Sequence, residues 1–357
     1  MKKLSVKKRV LLLLCVLLAL ASIACFVSIG VLVNLLPSQR EAERWQGEGE
    51  TSFGQVTCFL PVDSKIDLNQ IYQFRYAVLD KLHEAGFEAD TDTLLFRDAW
   101  STTDKVAVSS ALGKGQASAI AVGGHFFDFH PLRLLSGSYI SEDDLMQDRV
   151  LLDEELAWML FGGTDLQGME MRIEGVPFVI AGVIEREQDF ATMKAYTSGM
   201  GLFMSYDAYT QLKENAGASC YELCMAEPVK DYVAPFVKEK FPIGQGEIVD
   251  NSRRFSVPRL LGLLGSYGNR SMQTNGVLYP YWENAARCVE DWSAMLLFLG
   301  LLCAAFPVVY GIVTLIRWLK RGKEKLSEDV LPAFRNKVED TVEKQKRKRW
   351  EKQQEKH

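Results

Sequence analysis

The sequence is poor in histidine and in the motifs that usually carry catalysis. Four histidines occur in 357 residues, and the chain contains neither an HExxH metalloprotease motif nor a GxSxG nucleophile elbow. A phosphate-binding GxxxxGK[ST] loop is also missing, because Gly113-Lys114-Gly115 lacks the leading glycine spacing and a following Ser or Thr. These absences exclude ATP hydrolysis through such a loop and leave the commonest hydrolase classes without support.

One short stretch invites a metal-site interpretation. His125 and His130 flank Asp128 in the sequence HFFDFH, and imidazole and carboxylate are ligands of zinc and iron. Two histidines and one carboxylate on no defined scaffold are too few for a metal centre, so we predict no metal ligands, no cofactor and no catalytic residues. A cell-envelope enzyme stays open only if these three residues meet further acidic side chains in a pocket.

Cysteine is too sparse for a disulfide framework. Cys220 and Cys224 are four residues apart in a predicted strand, so they point the same way about 13 Å apart, which is too far to bridge. A long-range bridge involving Cys58 or Cys288 stays open. The remaining cysteines lie in apolar runs, where they behave as small apolar residues; they are Cys15, Cys25 and Cys303.

Charge is absent from two long stretches, residues 10–36 and 292–316. Each is longer than the roughly 20 residues that cross a bilayer as a helix, and Pro307 in the second is tolerated in membrane helices. We predict transmembrane helices at both. A cleaved signal peptide is the alternative for the first run, but its apolar core spans only about 7–15 residues. A lipoprotein signal at Cys25 is the other, although the apolar run continues past that residue.

Basic residues flank the two runs and predict the orientation. Residues 1–9 carry +5 and residues 317–357 carry +6, so with −5 for the whole chain the part between carries −16. Basic flanks stay in the cytoplasm. We therefore predict a two-pass protein of the cell membrane with a cytoplasmic N-terminus (1–9), a basic cytoplasmic tail (317–357) and an extracytoplasmic domain (37–291). An acidic domain does not bind nucleic acid.

The domain between the runs alternates strand and helix patterns. Short β-branched runs bounded by Gly, Pro or Asp predict strands, and apolar residues at helical spacing predict helices. The strands are residues 55–60, 93–96, 105–109, 117–122, 178–183, 201–205, 219–225 and 247–249. The helices cover residues 37–46, 67–86, 153–161 and 206–215, with a further one marked by Val229, Val233, Phe236 and Val237. The predicted fold class is an α+β domain, a mixed sheet with short helices, inserted between two transmembrane α-helices.

Two helices carry clear end signals. Asp67 and Gln70 form a capping-box pattern at the start of the first, and Gly86 ends it. Its predicted buried face is Ile71, Phe74, Val78, Leu79 and Leu82. The helix at 153–161 places Leu156, Met159 and Leu160 on one face and ends at Gly162 and Gly163.

The other segments are less regular. Residues 185–201 are polar and predict a surface loop. Residues 255–272 and 279–292, apolar or aromatic with basic residues, fit either a segment at the membrane surface or an ordinary core-packing helix followed by a loop. The tail has Val330, Phe334, Val338 and Val342 at helical spacing before a basic run; it predicts a solvated charged helix, with docking on a partner or on anionic lipid as the alternative.

Residues 117–185 resemble the extracytoplasmic core domain of MacB-type ABC transporter permeases, which are grouped with the FtsX-like permeases. The likeness rests on an aromatic turn followed by Leu-x-Gly, then a Leu-Ala-x-x-Leu-Phe-Gly helix, then glycines and an apolar strand. The residues are Phe126, Phe127, Leu135, Gly137, Leu156, Ala157, Leu160, Phe161, Gly162, Asp165, Gly168, Gly175 and Phe178 to Val183. The family has its aromatic turn where HFFDFH stands here.

The resemblance implies a non-catalytic membrane subunit that transmits ATPase-driven motion to its extracytoplasmic domain for transport or envelope remodelling. Its implied partners are a cytoplasmic ABC ATPase subunit, another permease subunit or a homodimer partner, and membrane lipid. Such permeases carry further spans after the second, and this sequence has a charged tail there, so we expect a split, truncated or regulatory permease. The alternative is a membrane-anchored extracellular ligand-binding or sensor module without transport activity.

Overall fold

The structure is a computed structural model that describes residues 6–47, 51–87, 95–142, 144–196, 199–214, 216–325 and 331–354. Two compact units divide the chain. Ser28–Leu297 form one, and Met1–Val27 with Phe298–His357 form the other. The first contains the α+β domain together with the adjoining ends of two long helices.

Ten strands of the described chain form one mixed sheet. They are β1 (Phe53–Phe59), β2 (Phe96–Ser109), β3 (Lys114–Gly124), β4 (Leu134–Gly137), β5 (Arg149–Asp153), β6 (Glu170–Ile173), β7 (Val176–Ile184), β8 (Gly201–Ser205), β9 (Cys220–Ala226) and β10 (Glu247–Asp250). Their order across the sheet is β10-β1-β9-β2-β3-β8-β5-β7-β4, and β6 pairs with β2 and β7. The pairs β3 with β8 and β5 with β7 are parallel, and the others are antiparallel.

The described chain contains eleven α-helices. They are α1 (Val6–Asn34), α2 (Glu41–Gln46), α3 (Leu68–Glu84), α4 (Phe126–Phe129), α5 (Glu154–Phe161), α6 (Phe190–Ala195), α7 (Tyr206–Leu212), α8 (Val233–Lys240), α9 (Val257–Leu263), α10 (Tyr281–Lys325) and α11 (Leu331–Gln354). Short 3-10 turns at Pro37–Gln39, Asn251–Arg253 and Leu264–Ser266 join some of them.

Alternation along the strands divides the core between the two faces. On one face, Tyr221 and Leu223 of β9 join a large cluster that contains Phe74 of α3. On the other, Cys220 and Cys224 of the same strand join a smaller cluster that includes the aromatic residues of α4 and α10. All seven residues of β9 are buried, because a central strand covered on both faces has no solvent side.

The predicted helix ends are confirmed. Asp67 and Gln70 form the reciprocal capping box of α3, and Asp153 caps α5, which ends at Gly162 in the left-handed conformation, φ 75°. Of the predicted face of α3, Leu79 is half-buried and the other four residues are buried. These ends form as predicted because their hydrogen bonds are local.

Several strand and helix bounds differ from the prediction. The segment 105–109 is the second half of β2, which begins at Phe96, while residues 93 and 94 of the predicted strand 93–96 lie outside the described residues. Helix α8 begins at Val233, so Val229 lies before it and is exposed. The tail segment is helical as α11, and Phe334, Val338 and Val342 are exposed along it, while Val330 lies outside the described residues.

The surface-loop prediction for residues 185–201 is wrong in part. Residues Phe190–Ala195 form helix α6, whose N-cap Asp189 accepts hydrogen bonds from the amides of Ala191 and Thr192. Ala191 and Ala195 are buried against Ala285, Ala286 and Val289 of α10. The buried residues of this helix are all small, Ala191, Thr192 and Ala195, so the segment shows no apolar face in the sequence.

The aromatic segment 279–292 is the start of α10 and packs on the domain. Tyr281–Lys325 is one helix of 45 residues, so the packed segment continues directly into the apolar run with no loop between them. The core-packing alternative is therefore the one the structure supports for this segment. In the second unit, α10 approaches α1 at Gly300, where an added Cβ would lie 3.2 Å from Cβ of Cys25.

Candidate functional site at the base of the domain

The first turns of α10 are embedded in the domain. Trp282 to Arg287 are all buried, although four of these six side chains are polar or charged or carry a polar ring nitrogen. The helix then continues into the uncharged run 292–316. A single helix therefore begins inside the domain and is long and apolar enough to cross a membrane.

Arg254 forms the centre of a buried ion network with this helix. The side chain is 1% exposed. Its Nη1 and Nη2 donate to Glu283 at 2.7 and 2.8 Å, and Nε donates to Glu290 Oε1 at 3.0 Å. Nη1 also donates to Gln39 Oε1 at 2.8 Å. One guanidinium thus joins α10 to the segment that follows α1.

Two further arginines, Arg287 and Arg270, pair with the same carboxylates. Arg287 pairs with Glu283 at 2.7 Å and with Glu247 at 2.8 Å, and its guanidinium lies 3.7 Å from the ring centroid of Tyr279. Arg270 lies 2.7 Å from Glu290. The carboxylates of this network are therefore paired with arginine, and none of them is poised as a free general base.

The pKa of Glu290 shows which effect dominates in the network. Burial by itself would raise the pKa, but the nearby guanidinium groups of Arg254, Arg270 and Arg259 outweigh burial and hold the pKa of Glu290 below its usual value. Glu290 is therefore ionised at neutral pH. Buried charges are costly unless fully paired, and removal of one partner leaves the other stranded.

His130 makes a second link between the sheet and α10. Its Nε2 is hydrogen-bonded to Glu222 of β9 at 2.7 Å, and both side chains are buried. The imidazole stacks on Phe126 and lies 4.6 Å from Trp282 between ring centroids. The histidine therefore positions the first turn of α10 over the sheet.

The other two candidate ligands in HFFDFH, His125 and Asp128, have different neighbours from His130. Asp128 lies 3.2 Å from Arg97, and His125 lines a surface groove beside Tyr72 and Arg75. The structure does not bring the two histidines and Asp128 together, and in the described part of the chain no three metal-ligating side chains converge.

The cysteines are unpaired. All seven are free thiols, with Cys58, Cys220 and Cys224 buried in the sheet. Cys58 faces the larger cluster and Cys220 the smaller one, so the sheet itself separates them. Burial raises the pKa of both thiols, which makes them unreactive.

Comparison with known proteins identifies the family. Residues 10–221, more than half of the chain, match the family model described as MacB-like periplasmic core domain. The chain belongs to this family. The MacB-like core domain is the periplasmic part of an ABC-type transporter permease family, and the chain is a membrane-associated member with two candidate spans.

Solved structures similar to this MacB-like domain include three at low sequence identity. The periplasmic region of MacB from Actinobacillus actinomycetemcomitans is 15% identical at a TM-score of 0.38, covering 56% of this chain and 89% of its own. The extracellular domain of the noncanonic ABC-type transporter YknZ from Gram-positive bacteria is 11% identical at 0.36, covering 53% and 88%. A domain of a permease protein from Porphyromonas gingivalis is 13% identical at 0.31, covering 55% and 88%. Among curated proteins, none matches the chain significantly.

Sequence reasoning missed the ion network of this MacB-like protein. Glu283 and Arg287 at i, i+4 spacing, followed by Glu290 and Asp291 directly before an uncharged run, are the one local signal that could have drawn attention to it. Arg254 carries no such signal, because its partners Gln39 and Glu283 are 215 and 29 residues away.

Proposed function

We propose that this chain is a non-catalytic permease subunit that transmits ATPase-driven motion through α10 into its extracytoplasmic domain, for transport or envelope remodelling. The observation that carries the proposal is the continuity of α10, which runs without a break from the ion network around Arg254 into the apolar run. A helix held by charge pairs at one end transmits a tilt or a shift rather than absorbing it.

The proposed topology follows from the charge distribution. The spans are residues 10–36 and 292–316, both termini are cytoplasmic and residues 37–291 are extracytoplasmic, since basic residues flank both apolar runs on their outer ends. The proposed partners are a cytoplasmic ABC ATPase, a further permease subunit or a second copy of the chain, and membrane lipid.

The test begins with recovery of the ATPase. Full chain solubilised from native membranes should copurify with a cytoplasmic ATPase, identified by mass spectrometry. Hydrogen exchange of residues 281–291 in this complex should then differ between the ATP-trapped and nucleotide-free states.

A helix break provides the matched variant. Met295 is 42% exposed; insertion of seven glycines after it interrupts α10, since glycine is a poor helix former, whereas insertion of seven alanines keeps the helix and its phase over two turns. The nucleotide-dependent difference in exchange should vanish in the first variant and persist in the second. Recovery of a signalling kinase in place of an ATPase, or exchange that ignores nucleotide in the unmodified complex, would refute transmission and favour the sensor alternative.

A further inference from the structure

Helix α9 contacts both long helices at the base of the domain. Its inner face is buried against α10 and the end of α1. The packed residues are Leu260, Leu263, Leu264, Ala294, Leu297 and Ile29. The helix therefore packs against the ends of both apolar helices.

These contacts place α9 at a defined level along the apolar runs. Ile29 lies about 7.5 Å inside the end of α1 at Asn34. Leu297 lies about 7.5 Å inside the start of the second run at Trp292, at 1.5 Å of rise per residue. The interfacial layer of a bilayer is about 5–7 Å deep on each side. The level of α9 thus falls at the boundary between headgroups and hydrocarbon.

The outer face of α9 is apolar. Val257 and Leu261, one helical turn apart, are 53% and 37% exposed, whereas Leu260 is 2% exposed. Two basic side chains lie beside this face, Arg253 at 53% and Arg259 at 31% exposed, whereas Arg254 and Arg270 are held in the ion network. Apolar residues on one face with basic residues nearby are typical of helices that lie in a membrane interface.

Helix α6 also exposes apolar side chains close to the start of the uncharged run of α10. Phe190 and Met193 are exposed, and Phe190 makes an edge-to-face contact with Trp292, with ring centroids 6.0 Å apart. Trp292 is the first residue of the uncharged run, and aromatic residues are enriched at the headgroup level.

We propose that α9 is an interfacial helix whose Val257 and Leu261 contact lipid of the outer leaflet, with Phe190 and Met193 of α6 at the headgroup level. The proposal rests on the proposed passage of α1 and α10 through the membrane. Lipid is the occupant because the adjoining helix ends in the same unit also expose apolar residues, namely Val31 of α1 and Trp292 and Met295 of α10. Since Arg254 precedes Val257 by three residues, lipid contact would hold the ion network at a constant depth.

Cysteine reactivity tests the proposal in the full chain. Val257→Cys and Leu261→Cys are placed in nanodiscs of phosphatidylcholine and phosphatidylglycerol and treated with a membrane-impermeant maleimide, with the wild-type reaction subtracted. Tyr76→Cys, at a residue 73% exposed on α3, is the water-facing control, and Leu302→Cys, at a residue 61% exposed in the apolar run, is the lipid-facing control. Thiols in lipid react slowly because the thiolate is the nucleophile, and we expect rates at least about tenfold below that of Tyr76→Cys.

The outcomes separate the two proposals. Slow reaction at residues 257 and 261, matching Leu302→Cys, supports lipid contact. If residues 257 and 261 react fast while residue 302 reacts slowly, the interfacial position of α9 is refuted and the membrane passage of α10 stands. If residue 302 also reacts fast, the membrane passage on which the proposal rests is refuted. Efficient disulfide-linked dimers of Leu261→Cys on oxidation would assign the face to a second copy and overturn lipid contact.

Discussion

Arg254 is the residue on which the base of the domain depends most. It is fully buried, and its contacts join Gln39, Glu283 and Glu290. A hydrophobic replacement would remove the positive charge and leave two carboxylates buried without it. The neighbouring Arg253 pairs with Asp231 at the surface, with 53% of its side chain exposed.

This contrast predicts a large difference between adjacent arginines. Arg254→Met should lower the free energy of unfolding by about 3–5 kcal/mol, because Glu283 and Glu290 each lose a buried arginine partner. Arg253→Ala should change it by about 1 kcal/mol or less, as for other exposed pairs. Denaturant unfolding of the full chain in detergent, followed by tryptophan fluorescence, measures both; equal effects would contradict the assigned role of Arg254.

Asp153 predicts a pH dependence. Burial raises its pKa from 3.8 to about 6, although hydrogen bonds from the amides of Leu156 and Gly201 act in the opposite direction. The folded state thus holds the proton more tightly than the unfolded state. Its stabilising contribution is fully present below about pH 4 and is lost as pH rises through about 6, with a slope of at most about 1.4 kcal/mol per pH unit.

The variant Asp153→Asn isolates this contribution. The difference in unfolding free energy between wild type and variant should shift against the wild type from pH 4 to pH 7, because the other titrating groups cancel in the comparison. A difference that is flat across this range would show that Asp153 has an ordinary pKa in the folded protein.

At the scale of elements, α10 is held by two different interfaces. One side is charged and satisfied by arginines, and the other consists of small residues that let α6 approach closely, with Ala286 fully buried against Ala191. A larger side chain at this contact would not fit without displacing its neighbours, since protein interiors are close-packed.

Enlarging one of these alanines should therefore loosen α6. Ala286→Leu is expected to destabilise the protein by about 1–3 kcal/mol through overpacking and to speed hydrogen exchange in residues 190–195. Ala305→Leu, on an exposed part of the same helix, is the matched control and should leave both measurements unchanged. Unchanged exchange in Ala286→Leu would mean that α6 is held by other contacts.

At the scale of the whole molecule, charge separates the ends of the chain from its middle. The two ends carry +5 and +6 and the residues between carry −16. Basic residues next to an apolar run stay on the cytoplasmic side of the membrane, which is the basis of the proposed orientation.

Labelling of intact cells tests that orientation. Val229→Cys, at a residue 69% exposed on the domain, should react with an impermeant maleimide added outside. Lys337→Cys in the tail should react only after the cells are permeabilised. The reverse pattern would invert the topology and remove the basis for an ATPase partner on the side of the tail.

Much of the fold was predictable, and the candidate site was not. The helix caps at Asp67 and Asp153, most strand positions and both apolar runs followed from local patterns, since their signals lie within a few residues. Helix α6 was missed because its buried face consists of two alanines and one threonine. The role of Arg254 was missed because its partners are distant in sequence.

The sequence by itself determined the α+β class, the two apolar helices and the segregation of charge, because hydrophobic runs, capping residues and charge counts act locally or by simple addition. Only the tertiary structure decided that α10 begins inside the domain, that four arginines gather its acidic residues and that α9 wedges against both apolar helices. The burial of a charged side chain depends on which distant segments pack around it, and the local sequence does not specify those segments.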